Sequence, residues 1–116
     1  MKIFIDTANL SEIRKAKALG LVDGVTTNPT LLAKEGEGAE TLIRKISKEV
    51  KGPVNVEVTG LTAEEMVREA KVMATWGDEM VIKIPITPEG LKTVKILSSE
   101  GIRTNVTLCF SANQAL

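Results

Sequence analysis

The stretch Val81-Ile82-Lys83-Ile84-Pro85 sets one lysine inside an apolar, β-branched run. A strand buried on both faces is close to uniformly apolar, so the lysine is an expensive choice there. An unpaired ammonium in a dry interior costs several kcal/mol, so such a lysine is paired, acts as a free amine nucleophile, or carries its head to water along a buried stem. The neighbouring strands help to decide. Side chains alternate along a strand, so an inward Lys83 takes Val81 and Pro85 with it and turns Ile82 and Ile84 outward. The same alternation puts Asp6 at the end of a first strand and Thr26 and Asn28 at the end of a second. It puts Asn55, Glu57 and Thr59 on one face of a third strand, and Asn105 and Thr107 on one face of a fifth. These are polar residues where a purely structural strand would carry Val or Ile. One carboxylate at a strand end is readily a helix cap or a surface charge. Asp6, Glu57 and Lys83 together are hard to account for as packing.

A lysine amine with two carboxylates, amides and hydroxyls, in a chain with no histidine, suits imine chemistry better than hydrolysis. Serine and cysteine hydrolases lose their usual base. Two carboxylates without histidine or paired cysteines would suit only a hard cation, so no metal site and no cofactor are expected. Schiff-base chemistry needs the amine, a group that helps remove water, and a base for the proton whose loss breaks a carbon-carbon bond. Lys83, Glu57 and Asp6 can fill those three positions.

The elements that must position these residues follow from periodicity. Apolar runs recur at Ile3 to Ile5, Val25 to Thr27, Val54 to Val58, Val81 to Ile86 and Thr104 to Phe110, with helical signals between them. Asn9 with Glu12 and Thr62 with Glu65 form capping-box patterns, Thr87-Pro88 opens another helix, and Gly20 and Gly101 stop two of them. Leu31 and Leu32 suggest a short helix broken by Gly36 and Gly38, before a crossover helix over Leu42 to Val50. Alternating strands and helices imply a parallel sheet, and the regular repeat favours a TIM (β/α)8 barrel over an open doubly wound sheet. Neither a G-x-G-x-x-G fingerprint nor a Walker loop supports the nucleotide sites of open sheets. Residues 1–116 are read as one incomplete barrel domain with about the first five strands and four helices. Ser111 with Gln114 signals a helix begun close to Leu116. A sheet left open at one edge is expected to pair with a second copy, as a homo-oligomer, or with the missing half.

The stretches Phe4-Ile5-Asp6-Thr7-Ala8, Gly24-Val25-Thr26-Thr27-Asn28-Pro29-Thr30, Val81-Ile82-Lys83-Ile84-Pro85 and Asn105-Val106-Thr107 resemble, in order and approximate spacing, the motifs of the transaldolase family. They are most similar to its small prokaryotic branch, which includes fructose-6-phosphate aldolases. The resemblance implies an eight-stranded barrel and transfer of a dihydroxyacetone unit from a ketose phosphate to an aldose phosphate through a lysine imine, as in the pentose phosphate pathway. By position it implies Lys83 as the imine lysine, Asp6 as acid/base at the bond being cleaved, and Glu57 with Thr107 at the catalytic water. Asn28, Asn105 and Thr26 would bind the three-carbon unit. Glu57 and Asn105 favour the transferase, because the aldolase branch carries glutamine and glycine there. The family's phosphate-binding serine and arginine fall on later strands. The alternatives are therefore a fructose-6-phosphate aldolase and a catalytically incomplete half-barrel scaffold.

Composition narrows the partners. Fifteen basic and fifteen acidic side chains cancel, so no large positive field would draw nucleic acid or an anionic membrane. No apolar run reaches the roughly 18 to 20 residues of a membrane span. The single cysteine, Cys109, allows no internal disulfide and is expected to be a small core residue. With no signal-peptide pattern at the amino end, these features lead to the expectation of a cytoplasmic protein. Trp76 is expected to pack, and Arg44, Lys45, Lys48 and Lys51 to form a solvated helix face.

Overall fold

The computed structural model describes residues 1–107. Five strands alternate with helices: β1 (Phe4–Asp6), α1 (Leu10–Ala18), β2 (Gly24–Thr26), α2 (Pro29–Lys34), α3 (Ala39–Val50), β3 (Val54–Glu57), α4 (Ala63–Met73), β4 (Met80–Pro85), α5 (Pro88–Ser99) and β5 (Thr104–Thr107). The short helix α2 and the crossover helix α3 both form where the sequence suggests them. The predicted strand over Thr104 to Phe110 is seen as far as Thr107, while Cys109 and the Ser111/Gln114 cap lie outside the described residues.

The sheet settles the choice of architecture. Its strand order is β1-β2-β3-β4-β5 and every neighbouring pair is parallel. A doubly wound sheet reverses direction at a switch point and carries helices on both faces. Here the winding never reverses. Val25, Val54, Val56, Ile82 and Ile84 form one core with Ile13, Leu42, Ile43, Ile46, Met66, Ala70 and Leu97 of the helices. This is the single winding of a (β/α) barrel, with the helical layer on the outer face.

The helix boundaries have local causes. Asn9, Asn28, Thr62 and Thr87 each accept a backbone N–H through the side chain at a helix start, satisfying a donor the helix leaves unpaired. The capping boxes are modified. Glu12 accepts from the Thr7 hydroxyl at 2.7 Å, and that hydroxyl in turn accepts from Asn9 N at 3.1 Å. Glu65 accepts from Leu61 N at 3.0 Å. At the other end, Gly20 and Gly101 adopt φ of 72° and 76°. Leu21 N then reaches Ala16 O at 3.1 Å and Ile102 N reaches Leu97 O at 3.0 Å, the bond pattern that closes a helix in a Schellman motif.

The helical layer is also stitched across its own ends. Glu89, in the first turn of α5, accepts from Ala63 N of α4 at 3.1 Å and from Lys92 Nζ at 3.0 Å. The backbone donor first, and then Lys92, hold its carboxyl below the usual carboxylate range. Arg44 pairs with Glu40 at 3.0 Å and Lys45 with Glu37 at 2.5 Å, all on the solvated side, as expected for this basic run. Trp76 packs against the core, and its buried indole N–H has no partner among the described residues. No helix among them is long and apolar enough to cross a membrane.

Candidate active site

The register lines the chemically capable residues up in two rungs. Asp6 pairs with Thr26, Thr26 with Asn55, and Asn55 with Val81. One rung toward the carboxyl ends, Glu57 pairs with Lys83 and Lys83 with Asn105. Paired residues in a parallel ladder share a face, and residues two apart on one strand share it too. Asp6, Thr26, Asn55, Glu57, Lys83 and Asn105 therefore occupy the inner face. Ile82 and Ile84, fully buried under the helices, take the opposite one, as alternation requires.

Lys83 is half-buried, and its Nζ donates to the Thr27 carbonyl at 3.3 Å. Among the described residues it has no carboxylate partner within 4.0 Å, although Glu57 is its neighbour across the ladder. Among the described residues one carbonyl orients the amine, while Ile82 and Ile84 on the other side of β4 are shut under the helices. Asp6 accepts from the Thr26 hydroxyl at 3.0 Å, which fixes the carboxylate at the strand end and leaves it exposed.

Two expected residues stand differently, and a third is described in its backbone alone. Asn28 lies past the end of β2 and caps α2, its Oδ1 accepting from Leu31 N at 2.9 Å. The cap uses the carbonyl oxygen, and among the described residues the amide nitrogen donates to no partner. Thr59 leaves the inner face after β3 ends. Its N–H and hydroxyl donate to Glu69 of α4, each at 3.0 Å to Oε2, and the Gly60 N–H joins them at 2.5 Å. A carboxylate offered three donors outcompetes the continuation of the strand. Thr107 stands opposite Pro85 in the ladder, while its side chain lies outside the described residues.

Two residues matter more than their types suggested. Thr27 is fully buried on the outer side, where its hydroxyl donates to the Asn55 carbonyl at 2.7 Å, and its own carbonyl holds the lysine. A threonine at a position facing Val and Ile needs a buried partner, and that need was the available signal. Asn55 is 4% exposed and its Oδ1 accepts from Asn105 Nδ2 at 3.3 Å. A hollow of about 400 Å³ on this face is lined by Phe4, Thr26, Pro53, Asn55, Val81, Arg103, Thr104 and Asn105. It is large enough for a small ligand but lies toward the amino ends of the strands, below Lys83.

An accessible amine, two carboxylates on neighbouring strands and several amides on one face can form an imine and move protons around it. Comparisons with known proteins give the chain's relatives. A probable transaldolase of Streptococcus equi subsp. zooepidemicus is 56% identical over 116 residues, covering 100% of this chain and 54% of that protein. A probable transaldolase of Streptococcus pyogenes serotype M5 matches with the same identity and coverage. The chain thus spans about half the length of the curated relatives it matches. Residues 3–116 match the family described as Transaldolase/Fructose-6-phosphate aldolase, so this chain belongs to the transaldolase/fructose-6-phosphate aldolase family.

Proposed function

We propose that these residues form the amino-terminal part of a transaldolase active site, which moves a dihydroxyacetone unit from a ketose phosphate to an aldose phosphate through an imine on Lys83. The observation that carries this reading is the rung Glu57-Lys83-Asn105, which sets a carboxylate and an amide on either side of the amine. The printed names of the relatives, probable transaldolase, support it.

The Lys83 amine adds to the ketose carbonyl, and the resulting carbinolamine loses water to give the iminium. Glu57, with Thr107, serves the proton transfers of that water. Asp6 takes the proton from the hydroxyl on the carbon beyond the bond to be broken, and the bonding electrons flow into the iminium to give an enamine as the aldose leaves. The acceptor aldehyde is then attacked by the enamine carbon while Asp6 returns the proton to the new hydroxyl. Water finally releases the product and regenerates the amine. Asn28, Asn105 and Thr26 hold the hydroxyls of the three-carbon unit, whose position against Lys83 supplies much of the rate. No metal or organic cofactor enters this scheme. The protein works in the cytoplasm, and the outer edges of β1 and β5 pair either with the rest of a barrel or with a second copy.

The test is borohydride reduction in the presence of fructose 6-phosphate, using a protein in which these residues run on through the full length of their relatives. An adduct on Lys83, seen by intact mass and peptide mapping, together with ketose-to-aldose transfer in a coupled assay, is the expected result. An adduct without transfer, with free dihydroxyacetone released, would replace the transferase by an aldolase. The absence of an adduct would overturn the imine.

A further inference from the structure

We infer that Asn55 is a positioning residue, which acts on the bound three-carbon unit through Asn105 rather than by touching it. The inference rests on the imine reading above and extends it to a residue that the imine scheme leaves idle. Asn55 is 4% exposed, and a buried amide in a strand is costly unless its polar atoms are partnered. Its Oδ1 accepts from Asn105 Nδ2 at 3.3 Å. Its Nδ2 reaches the Val25 carbonyl only at 3.5 Å, the long limit for such a bond. Its main-chain carbonyl is shared by Thr27 N at 3.1 Å and the Thr27 hydroxyl at 2.7 Å.

The consequence is a fixed order of hydrogen bonds. The bond to Asn55 is the one hydrogen bond of the Asn105 amide among the described residues, so it fixes which way that amide is turned. By accepting one N–H, Asn55 sets which end of the Asn105 amide is turned toward it, and leaves the other N–H and the carbonyl oxygen for a ligand hydroxyl. The same residue braces Thr27, whose carbonyl orients Lys83 at 3.3 Å. That brace is made by the main-chain carbonyl and would survive a change of side chain, so the side chain's own part is the bond to Asn105.

A double-mutant cycle in the full-length protein tests this. Asn55→Val keeps strand propensity and removes the acceptor, Asn105→Ala removes the amide, and both are combined. Each single variant should lower kcat/KM for the ketose phosphate by about tenfold, the scale of one lost neutral hydrogen bond, and the double variant should be no worse than Asn105→Ala alone. Asn55→Ser, which keeps an oxygen acceptor, should recover part of the loss. All four should still give the borohydride adduct on Lys83. Losses that multiply in the double variant, or an Asn55→Val protein with unchanged kcat/KM, would overturn the positioning role while leaving the imine intact. A merely structural role would lower the unfolding midpoint without this non-additivity. Failure of the unmutated protein to give the adduct would instead remove the imine reading, and this inference with it.

Discussion

The two faces of the one sheet obey opposite rules. On the outer face Val25, Val54, Val56, Ile82 and Ile84 are shut away beneath the helices. On the inner face, in this half-length chain, Asp6, Glu57, Lys83 and Asn105 are partly or fully exposed. Adjacent residues of one strand, Ile82 and Lys83, belong to different problems. The first stabilises by losing contact with water, and fully burying such a side chain contributes about 1.5 to 3 kcal/mol. In the proposed chemistry the second must keep a reactive atom accessible, and among the described residues one carbonyl orients it. The comparison teaches that, on these strands, stability and proposed chemistry can be altered separately, although the residues concerned are neighbours in sequence.

The sharpest attempt to break this division is Lys83→Ala. Transfer should fall by on the order of 10⁴-fold or more, as when a covalent nucleophile is removed, and the borohydride adduct should vanish. The unfolding free energy from urea titration should change little, by about 0.5 kcal/mol or less. A large loss of stability would mean that the inner face is part of the core after all.

One position away, Ile82→Ala should do the reverse. Deleting a fully buried isoleucine costs about 2 to 5 kcal/mol, read from urea unfolding, while the protein that remains folded should still form the Lys83 adduct. Loss of the adduct at unchanged stability would contradict the separation. Glu57→Gln should reduce transfer by about 100-fold, the scale of one general acid or base, with ketose binding largely kept because the amide preserves shape. Unchanged turnover would remove Glu57 from the proposed mechanism.

The smallest effect belongs to the helical layer. The Glu89 carboxyl is held low by the Ala63 N–H and by Lys92, so its folded form binds a proton less readily than the unfolded chain does. Its contribution is therefore present above the ordinary carboxylate value and is lost as pH falls through the lowered one. Glu89→Gln should flatten the acid limb of a stability-against-pH curve slightly and leave transfer untouched at neutral pH. An unchanged acid limb would show that the contact does not survive in solution.

Much of this was legible before any coordinates. Alternation assigned Ile82 and Ile84 to the helices and Lys83 to the other face, because a strand has a period of two whatever its neighbours are. The caps at Asn9, Asn28, Thr62 and Thr87 and the stops at Gly20 and Gly101 are local events within one turn of chain, so residue type was enough to find most of them. Only Asn28 was assigned a ligand role without its cap, since strand counting cannot see where a strand gives way to a helix. Thr59 was misjudged for a related reason. Its partner Glu69 lies ten residues on, across the sheet-to-helix turn.

The amino-acid sequence by itself determined the βα alternation, the two faces of each strand and the types of residue that could carry imine chemistry, because these depend on near neighbours in the chain. Only the tertiary structure decided the unreversed order of the strands and the register that brings Glu57, Lys83 and Asn105 onto one rung. It also decided that the lysine reaches the Thr27 carbonyl, fifty-six positions away, and that Asn55 holds Asn105, fifty positions away. Such contacts form when separate strands pair and helices pack behind them, so no local pattern encodes them.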